Sequence, residues 1–247
     1  MVHGKRLVVV LPALNAERTL ERTVREIPEG VADELILVDD GSQDRTVELA
    51  RSLGVTTLVH PQNRGYGGNQ KTCYRAALDA GADVVVMLHP DYQYSPALVP
   101  AMASVVATGQ ADLVLGSRIL AGRPGGGALE GGMPLYKYVA NRALTLVENG
   151  LLGLKLSEYH TGYRAYSREL LQALPLDRFS DDFVFDNQLI VACAWLGFGI
   201  GEISCPARYE PDSSSIGFSR SVVYGLGVLR EGLRYRAAKL GLIELFP

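Results

Sequence analysis

The sequence predicts an α/β protein with a mostly parallel central sheet flanked by helices. Runs of apolar, β-branched residues recur at 7–11, 35–38 and 84–88, and each is followed within two residues by Pro or Asp. Stretches of helical pattern separate these runs. Strands that alternate with helices in this way are typical of βαβ units, in which the crossover helices cover both faces of a parallel sheet.

The first half of the chain reads as strands joined by helices. Pro12 ends the first predicted strand, because proline cannot donate to a sheet ladder. Asn15 is the predicted cap of the first helix, and Asp44 is the cap of the second, which Gly54 ends. A glycine-rich turn over 63–69 precedes the third. The predicted strands cover 7–11, 35–38, 55–59, 84–88 and 112–116, and the predicted helices cover 17–26, 44–53, 70–80 and 95–107.

The second half departs from this alternation. The glycine-rich stretch 122–132 is a predicted loop, and loops of this length inside a compact domain are typically functional lids. Segment 158–166 is aromatic and polar and is assigned no strand. We expect one domain at 1–215 and a basic, amphipathic C-terminal helical segment at 216–247. The predicted elements are a strand over 200–203 and helices over 135–149, from 168, over 183–196 and over 219–246.

Composition and charge exclude several classes of protein. The chain of 247 residues is 47% hydrophobic, and its net charge of −3 gives no basis for nucleic-acid binding. Its three cysteines are widely spaced, which favours buried thiols in a reducing cytoplasm over disulfides or a zinc site. The N-terminal apolar run is too short for a signal peptide. No window holds 18 uninterrupted apolar residues, so no transmembrane helix is expected.

Aspartates stand where predicted strands end or helices begin, at 39/40, 91 and 181/182/186. In open α/β sheets, ligands bind outside the carboxyl ends of the strands. A carboxylate there suits a ribose hydroxyl or a divalent cation, so Asp91 is the predicted cation anchor and Asp39 the predicted nucleoside contact. Any one of these aspartates taken alone reads as a solvated loop residue, but their shared edge argues for a site.

The motifs that are present and those that are missing restrict the class of ligand that this edge would bind. Arg118 follows the strand 112–116 on the same edge, and arginine binds phosphate through paired hydrogen bonds. The turn after the first strand reads PALN, so it holds neither the dinucleotide-binding glycines nor a P-loop. There is also no G-x-S-x-G motif, so no serine nucleophile for acyl transfer is indicated. These observations favour a nucleotide bound through its base, its ribose and a cation-neutralised diphosphate.

Several motifs together carry a resemblance to a known family. Residues 11–17 read LPALNAE, 35–46 read LILVDDGSQDRT, 63–68 read NRGYGG, and PDYQ at 90–93 precedes GSR at 116–118. With these pieces the chain resembles family 2 glycosyltransferases, which have the GT-A fold, over about residues 5–215. TGYR at 161–164 is similar to the branch of dolichyl- and polyprenyl-phosphate sugar synthases. The motifs are specific for the superfamily and much less specific for the sugar or the acceptor.

The resemblance implies a role for each matching residue, with 1–215 as the catalytic domain. Asp91 would be the surviving acid of the D-x-D metal motif, with Gln93 close to the diphosphate. His89 stands where the first acid of that motif would be. Asp186 would be the acidic residue on the acceptor side, and Asp182 is the alternative candidate for that position. Contacts to the donor or to an acceptor phosphate would fall to Pro12, Ala13, Asn15, Glu17, Asp39, Asp40, Gly68, Arg118, Arg142, Arg164 and Arg208.

Two departures from the family pattern leave alternatives open. Histidine is a softer ligand than aspartate and suits Mn²⁺ better than Mg²⁺, so the cation site either includes His89 or consists of Asp91 alone. The polyprenyl-phosphate branch often continues into transmembrane helices, and none is predicted here. Peripheral contact with the inner face of the membrane would then rest on the basic helix 219–246. The alternative for this helix is packing on its own domain or on a second subunit.

We therefore predict a cytoplasmic, inverting glycosyltransferase that moves a sugar from a UDP- or GDP-linked donor to an acceptor, foremost a polyprenyl phosphate. The Mn²⁺ or Mg²⁺ ion would neutralise the leaving diphosphate. A lipid phosphate is already an anionic nucleophile, whereas a hydroxyl acceptor needs a general base, Asp186 or Asp182. One alternative is a soluble glycosyltransferase acting on a hydroxyl of a saccharide or small molecule. The other is a nucleotide-sugar-binding protein or a nucleotidyltransferase.

Overall fold

The computed structural model describes residues 1–120, 127–209 and 217–246. Within these ranges one sheet of seven strands has the order β3-β2-β1-β4-β6-β5-β7. The strands are β1 (Leu7–Ala13), β2 (Glu34–Asp39), β3 (Thr56–Val59), β4 (Val84–Met87), β5 (Leu113–Ser117), β6 (Arg164–Ser167) and β7 (Ile200–Ser204).

Helices cover both faces of this sheet. Short 3₁₀ turns at Pro96–Leu98 and Leu176–Arg178 complete the regular structure of the described ranges. The α-helices are α1 (Leu20–Arg25), α2 (Thr46–Ser52), α3 (Tyr66–Asp79), α4 (Val99–Ala107), α5 (Leu135–Leu152), α6 (Arg168–Ala173), α7 (Phe185–Leu196) and α8 (Phe218–Lys239).

The strand directions place one edge of the sheet at the carboxyl ends of most strands. Four adjacent pairs are parallel, and only β6 runs antiparallel to its neighbours β4 and β5. The predicted α/β fold with a mostly parallel sheet is therefore confirmed. Because β6 is reversed, its first residue, Arg164, pairs with Met87 at the end of β4. The segment before β6 consequently lies at the same edge as the carboxyl ends of β1, β2, β4 and β5.

Three local predictions were wrong. Strand β6 begins inside segment 158–166, to which no strand was assigned from the sequence. Pro12 lies inside β1 and does not end it. Beyond Val10 the strand pairs only with β2, so no backbone hydrogen bond to β4 is required from the proline nitrogen. Asn15 is not a helix cap, since its backbone is left-handed (φ 53°) and its Oδ1 accepts the N–H of Gln43.

The glycine-rich turn is also more ordered than predicted, because α3 begins inside it at Tyr66. The backbone N–H of Gly67 donates to the carbonyl of Asp181 at 2.7 Å. A Cβ on Gly67 would lie 2.5 Å from the carbonyl oxygen of Ser180, so a side chain there would push the two segments apart. Glycine at this position therefore lets the start of α3 pack directly on the segment that leads into α7.

Two apolar layers form the core, one on each face of the sheet. In β1, Val8 and Val10 belong to one layer, while Leu7, Val9 and Leu11 belong to the other. This alternation is the expected result of side chains pointing to opposite faces of a strand. All five are fully buried, so β1 is a central strand that fixes the carboxyl edge in place.

The C-terminal helix α8 packs on α5 and α7. Its residues Tyr235 and Ala238 are buried in the core layer that also holds β1 residues. Gly227 and Gly232 allow close approach, since an added Cβ would lie 3.1 Å from Val184 and 2.7 Å from Leu151 of α5, respectively. Among the described helices, none is both long enough and apolar enough to cross a membrane. The separation of 216–247 from 1–215 stays a prediction, and residues 122–126 of the predicted lid lie outside the described residues.

Candidate active site

The carboxyl ends of the strands open into a cavity of about 620 Å³. One end of the cavity is polar and lies against the sheet edge. The other end lies between α5 and α8 and is lined by apolar side chains such as Ala140, Leu144, Leu226 and Leu229. The predicted site residues that line the cavity are His89, Asp91, Gln93, Arg118 and Asp186.

A hydrogen-bonded group of three side chains lies at the polar end. The hydroxyl of Tyr66 donates to Oδ2 of Asp186 at 2.7 Å and lies 3.2 Å from Nε2 of His89. The rings of Tyr66 and His89 are stacked, with centroids 5.5 Å apart. Burial raises the pKa of Tyr66, and Asp186 raises it further, so the hydroxyl keeps its proton. Burial lowers the pKa of His89 against the opposing effect of Asp91 and Asp186, so its ring is neutral at neutral pH.

Asp91 is held by the turn that follows β4. Its Oδ1 accepts the backbone N–H of Gln93 at 3.1 Å, and the intervening Tyr92 has a left-handed backbone (φ 60°). Tyr92 is buried, and Arg22 and Arg208 both stack against its ring. The strained turn is therefore anchored from outside, and it presents Asp91 to the cavity.

Arg118 is locked in a buried ion pair with Glu158. Its Nε donates to Glu158 at 2.9 Å, and its backbone N–H donates to the other carboxylate oxygen at 2.8 Å. Its remaining Nη1 donates to the hydroxyl of Tyr209 at 3.0 Å, toward the cavity. Burial alone would raise the pKa of Glu158, but the guanidinium of Arg118 outweighs it and holds that pKa below its usual range. Arg118 thus offers a fixed positive charge at the polar end.

Below the cavity, α5 carries an unusual stripe of buried polar residues. Asn141, Thr145 and Glu148 recur at helical spacing and are all buried, whereas Val139 and Leu146 on the outer side are 57% and 75% exposed. A surface helix normally shows the opposite arrangement. The inner side of α5 therefore faces the polar site, and its outer side is an exposed apolar surface.

Glu148 of this stripe contacts His160, which lies in the segment before β6. Oε2 of Glu148 lies 3.4 Å from Nε2 of His160, and the hydroxyl of Tyr224 on α8 lies 2.8 Å from Nδ1 of the same ring. Burial raises the pKa of Glu148 to about 8, although Asn187 donates a hydrogen bond to it. Burial lowers the pKa of His160 to about 4. At neutral pH Glu148 is consequently protonated and His160 neutral, so the pair carries no buried charge.

Asp39 is the best-placed candidate contact for a nucleoside. Its Oδ2 accepts the N–H groups of Gly41 and Ser42 at 3.1 and 3.0 Å, while its Oδ1 is buried with no hydrogen-bond partner among the described residues. Buried polar atoms are rarely left without a partner, so this oxygen suits a donor group of a bound ligand. Asp40 is different, because its carboxylate is taken up by His60 and by backbone N–H groups of the glycine-rich turn.

The other predicted nucleoside contacts lie at the end of β1 and in the loop that follows it, and this loop contacts the loop after β2. Pro12 and Ala13 end β1, with Ala13 paired to Asp39. Glu17 forms an ion pair with Arg45, whose Nε lies 2.8 Å from Oε1. A second cavity, of about 520 Å³, is lined by Asn15, Glu17, Arg18, Thr19 and Asp44.

Several predicted residues lie outside the main cavity. Arg164 is fully buried and donates to the carbonyls of Thr161, Tyr159 and Asp186, so it holds the backbone together. Arg142 donates to the carbonyl of Ser157, and Arg208 donates to the hydroxyl of Tyr92. Gly68 packs against Arg64 and Asp181. Asp182 is exposed, and its carboxylate accepts the N–H of Phe183. Of the two candidate acceptor-side acids, only Asp186 lines the cavity.

Four buried residues at the site were not predicted from the sequence, namely Tyr66, Glu158, Glu148 and His160. Tyr66 contacts the predicted residue Asp186, Glu158 contacts the predicted residue Arg118, and Glu148 and His160 contact each other. The polar spacing of Asn141, Thr145 and Glu148 was the available signal, because polar residues at positions four and three apart mark one helix face. Nothing in the sequence pairs Tyr66 with Asp186, which is 120 positions away.

The predicted cation fits this site only in combination with a ligand. Within residues 1–120, 127–209 and 217–246, no three His, Cys, Asp or Glu side chains converge into a complete metal site. A hard cation that binds a diphosphate typically needs one or two protein carboxylates, since phosphate oxygens and water fill its other positions. Asp91, at the cavity wall, supplies one such carboxylate.

Comparison with known proteins identifies the family. The model of the family described as glycosyl transferase family 2 matches residues 8–174, which is more than half of the chain. The chain belongs to glycosyl transferase family 2. It is therefore a glycosyltransferase and not a nucleotidyltransferase. This family 2 enzyme is 31% identical over 252 residues to an undecaprenyl-phosphate mannosyltransferase of Micrococcus luteus, covering 96% of this chain and all of that protein.

Other relatives agree with this assignment. The enzyme is 26% identical over 251 residues to the UDP-N-acetylglucosamine–dolichyl-phosphate N-acetylglucosaminyltransferase of Methanococcus voltae, with 92% of this chain and 97% of that protein covered. Glucosyl-3-phosphoglycerate synthase from Mycobacterium tuberculosis has the same fold, with a TM-score of 0.69 and 24% identity over 98% of this chain and 82% of that one. The mycobacterial protein has also been solved with Mn²⁺, UDP-glucose and phosphoglyceric acid, and that complex gives a TM-score of 0.66 at 25% identity, with the same 98% and 82% covered.

Proposed function

We propose that this enzyme transfers a sugar from a nucleoside diphosphate sugar to a polyprenyl phosphate, with inversion at the anomeric carbon. The observation that carries the proposal is the two-ended cavity. Its polar end holds Asp91 and Arg118, and its other end runs between apolar side chains of α5 and α8. A lipid phosphate has the same two parts, a charged head and an apolar chain. The relatives that act on undecaprenyl and dolichyl phosphate support this acceptor class.

In this proposal the nucleoside lies toward Asp39 and the diphosphate toward Asp91. The buried, unpartnered Oδ1 of Asp39 accepts a hydrogen bond from the nucleoside. Asp91 holds a divalent cation, which when bound supplies Lewis-acid stabilisation of the leaving diphosphate. Because Mn²⁺ and Mg²⁺ both occur with UDP in structures of the mycobacterial synthase, either ion is a reasonable candidate.

The acceptor phosphate lies at the polar end near Arg118 and Lys137, both of which line the cavity. Glu158 fixes the guanidinium of Arg118, so no reorganisation of that charge is needed when the phosphate binds. One phosphate oxygen attacks the anomeric carbon from the side opposite the diphosphate, which inverts its configuration. A phosphate dianion needs no general base, and the predicted base role of Asp186 belongs to the alternative with a hydroxyl acceptor.

We also propose that the outer sides of α5 and α8 rest on a membrane surface. The apolar end of the cavity lies between these two helices, and both expose apolar residues such as Leu146 and Val223, which are 75% and 67% exposed. Exposed basic residues accompany them on α8, including Arg230 and Arg236. An apolar face bordered by cations is typical of helices that lie in the interface of an anionic bilayer. A lipid acceptor could then enter the cavity without leaving its membrane.

The proposal is tested with a panel of radiolabelled UDP- and GDP-sugars, Mn²⁺ and a short-chain polyprenyl phosphate in detergent. We expect one donor to yield a product that extracts into organic solvent and is released by mild acid. Asp91→Asn should abolish the cation-dependent binding of that donor, because the variant loses the only predicted carboxylate ligand. A calorimetric donor affinity in the presence of Mn²⁺ that equals the wild-type value would contradict the role of Asp91.

A further inference from the structure

His89, which stands in place of the first acid of the metal motif, belongs to a chain of hydrogen bonds built from three separate elements. Tyr66 opens α3, His89 follows β4, and Asp186 lies in the first turn of α7. The hydroxyl of Tyr66 is 2.7 Å from Oδ2 of Asp186 and 3.2 Å from Nε2 of His89. Phe183 packs on the ring of Tyr66, with centroids 4.7 Å apart. The tyrosine is thus held between its two partners.

Counting protons along this chain fixes the direction of each hydrogen bond. A carboxylate can only accept, so the single proton of the Tyr66 hydroxyl goes to Asp186. The oxygen of Tyr66 can then take part in the second contact only as an acceptor. The donor in that contact is Nε2 of His89, which must carry a proton. In a neutral ring the lone pair is therefore on Nδ1.

The Nε2 edge of the His89 ring has no room for a ligand. A Cβ added to Gly162 would lie 2.6 Å from Nε2 of His89 and 3.2 Å from the hydroxyl of Tyr66. The bare backbone of Gly162 and the hydroxyl of Tyr66 together close this edge of the ring. Any ligand of His89 must therefore approach Nδ1.

We propose that Tyr66 and Asp186 are positioning residues that fix the His89 ring so that Nδ1 serves as a second protein ligand beside Asp91 for the cation of the nucleotide sugar. This inference rests on the proposed function, because it needs the cation at Asp91. Histidines that bind metals almost always donate their other N–H to a carboxylate, carbonyl or water, which sets the tautomer. Here Tyr66 relays that contact to Asp186. The relay gives Asp186 a use that does not require a hydroxyl acceptor.

The test measures Mn²⁺ binding directly, without turnover. Wild-type enzyme and variants are saturated with the nucleoside diphosphate of the active donor, and free Mn²⁺ is followed by electron paramagnetic resonance. Tyr66→Phe keeps the ring but removes the relay oxygen. We expect it to weaken Mn²⁺ binding by about 10- to 100-fold, as loss of such outer contacts typically does. Thermal melting of each variant shows whether it has folded.

Two amide variants of His89 distinguish which ring nitrogen acts. The amide of Asn occupies the place of Nδ1, and the amide of Gln reaches the place of Nε2. His89→Asn should therefore retain Mn²⁺ affinity within a few-fold of wild type, while His89→Gln should bind as weakly as His89→Ala. His89→Asp should retain binding and shift the preference from Mn²⁺ toward Mg²⁺, since a carboxylate is the harder ligand.

The inference is overturned if His89→Ala and Tyr66→Phe, both folded, bind Mn²⁺ as well as the wild type does while Asp91→Asn binds it weakly. That pattern would leave the cation on Asp91 alone and the proposed function intact. Failure of the proposed function looks different, because no donor would then give transfer to a polyprenyl phosphate, whatever the Mn²⁺ affinities of the wild type and the variants.

Discussion

At the scale of single residues, the site depends on side chains that are held by neighbours rather than by their own element. Asp91 is presented by a left-handed turn, Arg118 is fixed by Glu158, and His89 is fixed by Tyr66. Each of these functional groups loses its position if the neighbour changes, even though the neighbour itself carries no chemistry. Two predictions belong to this scale.

The first prediction concerns Gly162. A Cβ at this position would lie 2.6 Å from Nε2 of His89, so Gly162→Ala must displace the imidazole. Misplacing a catalytic group by about 1 Å can cost about 100-fold in rate, and we expect a loss of that order in kcat/KM. Gly150→Ala is the matched control, because nothing lies within 4 Å of a Cβ there. That change lies in the last turn of α5, so it should leave the rate unaltered and add at most about 0.5–1 kcal/mol of stability. Equal rates for both variants would contradict the packing described for His89.

The second prediction concerns the protonation of Glu148. Its pKa is raised from 4.5 to about 8, so the folded state keeps a proton that the unfolded state loses between these two values. Stability therefore falls as pH rises through this window, by an amount on the order of a few kcal/mol. Glu148→Gln removes the titrating group and should flatten this fall, which urea unfolding at pH 6 and pH 8.5 measures. A variant with the same pH dependence as the wild type would show that Glu148 is not the group responsible.

At the scale of elements, the sequence was informative where apolar periodicity was strong. β1, β2, β4 and β5 and the helices between them lie close to their predicted positions, because buried parallel strands read as continuous apolar runs. β6 has only four residues, Arg164–Ser167, and depends on β4 and β5 for its hydrogen bonds. No local pattern in such a short polar segment distinguishes a strand from a loop.

The candidate site was predictable to the same degree. His89, Asp91, Gln93 and Arg118 follow strands, and the carboxyl ends of parallel strands meet at one edge, so their convergence could be inferred. Asp186 lies on a helix, and its place at the site was predicted only from its position near a predicted helix start and from the resemblance to the family. The contact between Tyr66 and Asp186 joins residues 120 positions apart and arises from the tertiary packing of α3 on α7.

The helix α5 provides the prediction at this scale. Its exposed outer side is apolar, and Leu146 is 75% exposed. Leu146→Ser should weaken binding to vesicles of phosphatidylglycerol and phosphatidylcholine by about tenfold, because one buried leucine side chain contributes roughly 1.5–3 kcal/mol. Val59→Ser, at the far edge strand β3 and 46% exposed, is the control and should bind as the wild type does. If Leu146→Ser instead leaves vesicle binding unchanged and converts a dimer to a monomer, this face is an interface between two copies of the chain.

At the scale of the whole molecule, the proposed function divides the binding of the two substrates between the sheet and the helices α5 and α8. The sheet edge gathers the groups that fit a nucleotide and a diphosphate, while the helices build an apolar exit from the same cavity. The likeness to the mycobacterial synthase extends to the fold. In the proposed function, the apolar end between α5 and α8 is what selects a lipid acceptor over a small soluble one.

The central claim is that the acceptor combines an anionic phosphate with an apolar chain. The most direct measurement compares initial rates of sugar transfer to a polyprenyl phosphate, to the polyprenol of the same length, and to a short-chain alkyl phosphate. We predict transfer to the polyprenyl phosphate, none detectable to the polyprenol, and a much higher KM for the alkyl phosphate, because the polyprenol lacks the nucleophilic oxyanion and the alkyl phosphate does not reach the apolar end. Efficient transfer to the polyprenol or to a saccharide hydroxyl, with none to the polyprenyl phosphate, would contradict the account.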